Sequence, residues 1–227
     1  MGTGRRGRGD PQLRLRQQNR RPAAGCRRRG GHARRRAAGG LVLDLRGNAG
    51  GLLDAAEQVA GLALPEGSVI GSLRGRAPDN VRALRARDPL VPRGVPMVVL
   101  VDRRTAAGAE IVAAALQDHG RALLIGAKTL GAGTIQTVLP LPAGQGALIV
   151  TTHRVHRANG ARLDGTGVAP DMRLDEAKRR ITVRDDIAAD FNGALAQRVR
   201  DAVAGAPAGA DVALLAARAA LAHATAD

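Results

Sequence analysis

The sequence has one cysteine, Cys26, so an internal disulfide and a cysteine-based metal site are both excluded, and neither a metal nor a cofactor is expected. It contains no tryptophan, no tyrosine and one phenylalanine, Phe191. With 44% hydrophobic residues it can still fill a core, one built of aliphatic side chains. No run of apolar residues is long enough to cross a bilayer, so no membrane span is expected. Arg5 and Arg6 stand near the start, but no apolar segment follows them, and a secretory leader is not expected. Lysine is nearly missing too: of 35 basic residues only Lys128 and Lys178 are lysine. An excess of Arg, Ala and Gly is a mark of GC-rich coding rather than of chemistry.

What is present is unevenly spread. The formal charge of +15 would ordinarily point to nucleic acid, but residues 1–40 hold 13 arginines against the single acid Asp10. The remainder is close to balanced, so nucleic acid is not the expected partner of the body. Residues 1–39 show no apolar period and read as a disordered Arg-rich segment. A solvated tail, a shifted reading frame and an anion-binding arm all fit that composition.

From Gly40 the texture changes. Leu41–Leu45 reads as a short apolar strand, followed by the turn Arg46-Gly47-Asn48-Ala49-Gly50-Gly51. Leu52–Leu64 has helical spacing, with Leu53, Ala56, Ala60 and Leu64 on one face. Ser68–Leu73 reads as a strand, residues 74–94 as a polar surface excursion, and Val95–Val101 as a buried strand. Thr105–His119 reads as a helix and Leu123–Ile125 as another strand. Ile135–Leu141 and Ala147–Val155 look like a hairpin around Ala143-Gly144-Gln145-Gly146, and the last fifty or so residues read as helix broken at Gly205-Ala206-Pro207. Strands alternating with helices predict an α/β layer with a site at the strand ends.

Five blocks in order carry a resemblance. Leu43–Gly51 (LDLRGNAGG) is similar to a DLRGNPGG signature. Glu110-Ile111 through Asp118-His119-Gly120-Arg121-Ala122 is similar to SEI…ALQDxGRA, and Gly126–Gln136 to GEKTFGKGSVQ. Thr151–Arg154 and Gly165–Asp171 (GTGVAPD) match a closing strand and its turn. Together they resemble the carboxyl-terminal processing (tail-specific) serine peptidases over residues 40–173. The resemblance implies a crotonase-like or Clp-protease-like α/β core with a mixed sheet and flanking helices. It also implies unstructured protein C-terminal tails as partners, and a periplasmic or cell-envelope setting. The family normally carries a PDZ domain before the DLRGN strand, and the residues before Leu41 do not resemble one. The organisation expected is therefore an Arg-rich segment (1–39), a peptidase core (40–175) and a helical C-terminal extension (176–227).

The resemblance also places the chemistry. The family's SASASE block corresponds to Thr105-Ala106-Ala107-Gly108-Ala109-Glu110, which puts the nucleophile position at Ala107. The lysine of FGKG falls at Ala132 in Leu130-Gly131-Ala132-Gly133. A serine hydroxyl needs a base to take its proton, and in a Ser/Lys dyad that base is a lysine kept neutral by burial. Two methyl groups can do neither, so the chain is expected to be inactive as a peptidase. Gly108, with Gly50 or Gly51, is expected to supply oxyanion-hole N–H groups. Asp118 aligns with an acid often counted with the dyad, yet eleven helical residues separate it from Ala107, about 16 Å. A structural ion pair is the better reading for Asp118, while Gln136 aligns with a glutamine that would orient the lysine. The function read from the sequence is a tail-specific endopeptidase inactivated at its dyad. The alternatives are a peptide-binding scaffold that adds an extended strand, and nucleic-acid binding through the basic N-terminus.

Overall fold

The computed structural model describes residues 39–142, 146–185 and 193–225. The Arg-rich segment, the centre of the Ala143–Gly146 turn and Phe191 lie outside them. The architecture is mixed α/β. Its central layer is a five-stranded sheet ordered β1-β4-β5-β8-β9, from β1 (Leu41–Asp44), β4 (Met97–Val101), β5 (Leu123–Gly126), β8 (Met172–Asp175) and β9 (Arg180–Val183). The first four run parallel, and β9 returns antiparallel to β8. A second, antiparallel sheet is ordered β3-β2-β7-β6, from β2 (Val69–Arg74), β3 (Val81–Arg85), β6 (Thr134–Pro140) and β7 (Ala147–Arg157).

Strand β4 shows how the layers arise. All five of its residues are buried, because it has cover on both faces and needs no polar alternation. Its side chains nevertheless divide with the two-residue period of a strand. Met97, Val99 and Val101 join one apolar cluster with helix α2 (Gly108–Asp118) and the second sheet. Val98 and Leu100 join another, with α3 (Gly193–Ala204) and α4 (Val212–Ala224). The C-terminal helices thus cover one face of the central sheet, while α1 (Leu53–Gly61) and α2 cover the other.

Two sequence expectations need correction. The supposed surface excursion over residues 74–94 contains β3, paired antiparallel with β2 from Arg74↔Val81 to Val69↔Arg85. It is an edge strand with only Leu84 buried, so it offers almost no apolar period to read. The C-terminal region expected to be helical contains β9 at Arg180–Val183, whose Ile181 is buried against the second cluster. The break between helices falls where Gly205-Ala206-Pro207 predicts it, after Ala204. The α4 N-terminus is capped by Asp211, whose carboxylate accepts the Leu214 N–H at 3.0 Å.

Candidate active site

The site forms where the turn after β4 enters α2. Ala107, at the N-cap, has φ 47° and ψ −119°, a conformation that L residues avoid. Local bonds hold it there. Its carbonyl accepts the N–H groups of Glu110 and Ile111 at 3.0 and 3.2 Å, and its own N–H donates to Glu110 Oε2 at 3.0 Å. The result is a sharp strand-to-helix turn that presents the Ala107 side chain at a helix N-terminus.

The DLRGN turn packs against this bend. Asn48 C=O accepts the Ala106 N–H at 2.9 Å, and Asn48 Oδ1 accepts the Gly50 N–H at 2.9 Å. A Cβ on Gly50 (φ 93°) would stand 2.7 Å from Gly108 N and 2.8 Å from Ala107 Cβ, so glycine is required for the approach. The Gly50 N–H is therefore spent inside an Asx turn. The Gly51 N–H has no acceptor among the described residues, and neither has that of Gly108. Gly51 N lies 3.5 Å from where a Cβ on Gly108 would stand. Of the two glycines considered from the sequence, the geometry leaves Gly51 available and removes Gly50.

Glu110 ties this bend to the loop after β5, a role the sequence reading did not assign. It is fully buried. Its Oε1 accepts the Thr129 hydroxyl and, at 2.7 Å, the Gly131 N–H. Its Oε2 accepts the Ala132 N–H at 2.8 Å as well as that of Ala107. One carboxylate oxygen thus joins the backbones of Ala107 and Ala132, the two positions that the resemblance assigns to nucleophile and base. Four donors satisfy a charge that burial would otherwise make costly. The signal was present in the sequence, as an acid at the third position of a helix after a tight turn. Thr129 extends the network, accepting the Val168 N–H at 2.7 Å.

Ala107 and Ala132 are both partly accessible and both carry methyl groups. The polar groups considered beside them are engaged or placed elsewhere. Thr105 is fully buried and its hydroxyl donates to Leu45 C=O at 2.8 Å. Lys128 is exposed and lines a cavity with Arg103 and Arg173. Gln136 is exposed on β6. Asp118 sits at the far end of α2, 6% exposed, and takes Arg157 Nη2 at 2.6 Å and Asn159 Nδ2 at 3.0 Å. The structure does not bring Asp118 to Ala107. Asp171, which closes the GTGVAPD turn, accepts the Leu124 N–H at 2.8 Å and Gln117 Nε2 at 2.6 Å, pinning β5 to α2. No cluster of metal-ligating side chains occurs among the described residues, and no described helix is long and apolar enough to cross a membrane.

Arg46 anchors the other side of the DLRGN turn. It donates to both carboxylate oxygens of Asp44 at 2.9 and 2.8 Å, and to those of Asp211 at 2.9 and 2.8 Å. Burial alone would raise the Asp44 carboxyl, but bonds and charge from Arg46 outweigh it and hold the group below its ordinary value. Hydrogen bonds from the same guanidinium lower Asp211, and the two carboxylates push Arg46 upward in return.

A strained strand-to-helix turn, two unclaimed N–H groups beside it and a helix N-terminus behind it make up the frame of a serine-type acyl-transfer hydrolase. The comparisons narrow this: the profile of peptidase family S41 matches residues 14–174, and the chain belongs to that family. It is 40% identical over 137 residues to the carboxy-terminal-processing protease of Bartonella bacilliformis, covering 60% of this chain and 31% of that protein. It is 38% identical over 147 residues to the chloroplastic carboxyl-terminal-processing peptidase 1 of Arabidopsis thaliana, covering 63% and 29%. Among solved structures it is similar to the photosystem II D1 C-terminal processing protease, with 37% identity and a TM-score of 0.56 over 60% of this chain and 35% of that one. The chain thus spans about a third of the length of these relatives.

Proposed function

We propose that this chain carries the catalytic core of a carboxyl-terminal processing serine peptidase that accepts an extended protein tail but does not cut it. The observation that carries this reading is the contrast at Ala107. Its backbone keeps a costly conformation that serves to present a nucleophile, while its side chain is a methyl group. Gly51 and Gly108 N–H groups stand ready for an oxyanion, and Glu110 still spaces the base position at Ala132 from the nucleophile position. In a working dyad the lysine would take the serine proton, the oxygen would attack the scissile carbonyl, and the two N–H groups would hold the resulting oxyanion. Here the first two steps have no groups to perform them. Loss of both members costs little more than loss of one, because they act as a unit.

The test is cleavage of an unfolded protein with an apolar C-terminal tail by this chain and by an Ala107→Ser, Ala132→Lys double variant. The chain itself is expected to show no turnover and the double variant to acquire it. Turnover by both would overturn the assignment of the two positions. Turnover by neither, from a folded double variant, would mean that the core alone does not carry the activity.

A further inference from the structure

The hairpin of β6 and β7 leaves the second sheet partway along its length. Strand β2 pairs with β7 only from Gly71↔Arg157 to Arg74↔Arg154, so β7 from Ala147 to His153 has β6 as its one strand neighbour among the described residues. This projecting part holds five of the nine exposed large hydrophobic residues among those described: Val138, Leu139, Leu141, Leu148 and Ile149. They occupy both faces. Val138 stands across from Ile149 on one face, at 60% and 62% exposure, and Leu139 across from Leu148 on the other, at 48% and 52%. Between Lys128 and Arg154 the sequence has no Asp, Glu, Lys or Arg, although 24% of the whole chain is charged.

Charge returns as arginine where the hairpin meets the sheet. Arg74 and Arg154 sit directly across from each other on β2 and β7, a like-charge pair that costs stability in an antiparallel sheet. Arg154 reaches Asp164 at 3.6 Å, an acid it shares with Arg162 at 3.5 Å. Arg74 makes no side-chain ion pair among the described residues. The β2–β3 turn adds Arg76 and one acid, Asp79, and lies against β7 through Asn80, whose Oδ1 is 3.2 Å from His153 Nε2. From its end to its base the hairpin is therefore apolar, then polar with Gln136, Thr137, Thr151 and Thr152, then cationic. A bilayer with anionic lipids offers the complement in the same order: acyl chains, headgroups and a negative surface potential.

A protein partner seated on one face of the hairpin would leave the other face in water, whereas a medium that surrounds the end covers both at once. The open strand edges limit the depth, since unpaired N–H and C=O groups are not tolerated in hydrocarbon. We propose that the end of the β6–β7 hairpin is an interfacial anchor for anionic lipid surfaces. Its apolar side chains enter the boundary between headgroups and acyl chains, about 5–10 Å deep, and Arg74, Arg76 and Arg154 face the lipid phosphates. The anchor is independent of whether the core cuts or only binds a tail.

The lack of tryptophan and tyrosine makes a local test possible. A local readout is needed, because residues 1–40 hold 13 arginines and would draw the chain to anionic vesicles by charge alone. Ile149→Trp and Leu148→Trp each put the only indole on one face of the hairpin, and Leu90→Trp puts it at an exposed apolar position outside the hairpin. The probe is vesicles of phosphatidylcholine and phosphatidylserine, titrated into each full-length variant. Both hairpin indoles are expected to shift their emission to the blue, and the Leu90→Trp indole is not. Spin labels near the headgroup are expected to quench them more than labels at the end of the acyl chain. In the Ile149→Trp background, Leu148→Asp is expected to raise the lipid concentration for half-maximal shift about tenfold. Arg74→Gln, which also relieves the like-charge pair and so does not threaten folding, is expected to raise it about fivefold. No shift at either hairpin position, a shift confined to one face, an equal shift at Leu90→Trp, strongest quenching at the acyl-chain end, or a shift unaltered by a folded Leu148→Asp variant would overturn the proposal. A shift that grows with protein concentration and needs no vesicles would assign the hairpin to a second copy and overturn it too.

Discussion

Helix α2 carries a buried carboxylate at each end, and the two are stabilised in opposite ways. Glu110 lies in the first turn, where the unpaired N–H groups and the helix dipole favour negative charge, and it is held by three backbone N–H groups and one hydroxyl. Asp118 lies at the C-terminal end, where the dipole opposes it, and it is held by the guanidinium of Arg157. The dipole needs no counter-ion at one end and demands one at the other. The lesson concerns assignment. Position in the helix, rather than alignment with a catalytic acid, explains why Asp118 needs its arginine. The carboxylate that touches Ala107 and Ala132 is Glu110.

Breaking each end should separate the two roles. Glu110→Ala leaves three inward backbone donors and the Thr129 hydroxyl without their acceptor, so a loss of about 3–5 kcal/mol is expected. Chemical denaturation measures it, and the loss of order should reach both the Ala107 turn and the Ala132 loop in amide exchange. A loss confined to α2 would show that Glu110 does not join the two positions. Asp118→Ala removes a carboxylate that is 6% exposed and leaves Arg157 largely buried. About 3 kcal/mol is expected, at the low end for a broken buried pair. Its amide-exchange effects should stay near β7, and a change at Ala107 would contradict the separation. The smallest effect, and the only gain, is expected from Ala107→Gly. Glycine tolerates the φ of 47°, and relief of strain less its greater chain entropy predicts a rise of about 1 kcal/mol. A fall in melting temperature would mean that the bend carries no strain.

These comparisons also show what the sequence made legible. Strands with cover on both faces, such as β4 (Met97–Val101, read from the sequence as Val95–Val101), stood out as unbroken apolar runs, and the apolar face of α1 was readable from Leu53, Ala56 and Ala60. The edge strand β3 was not, because a strand that buries one residue in five carries no period. Strand β9 has an alternating pattern, exposed at Arg180 and buried at Ile181, but the Ala- and Arg-rich sequence after it drew the reading toward helix. At the site, the alignment of blocks pointed to Ala107 and Ala132, and the structure joins their backbones through one oxygen of Glu110. The alignment did not resolve Gly50 from Gly51, since that choice depends on where the Asn48 side chain points. The place of Glu110 in the first turn of α2 was legible, but its bonds to Thr129, Gly131 and Ala132, up to 22 positions away in sequence, were not.

The contact between Arg46 and Asp211 spans 165 positions of sequence. A ribosome adding about 5–20 residues per second would therefore release the DLRGN turn many seconds before its anchor on α4 exists. During that interval the glycines beside Ala107 lack half of the ionic clasp that holds the turn. The frame of the site is thus completed only after α4 has been made, so a nascent chain that exposes the cleft before then has not yet fixed its shape.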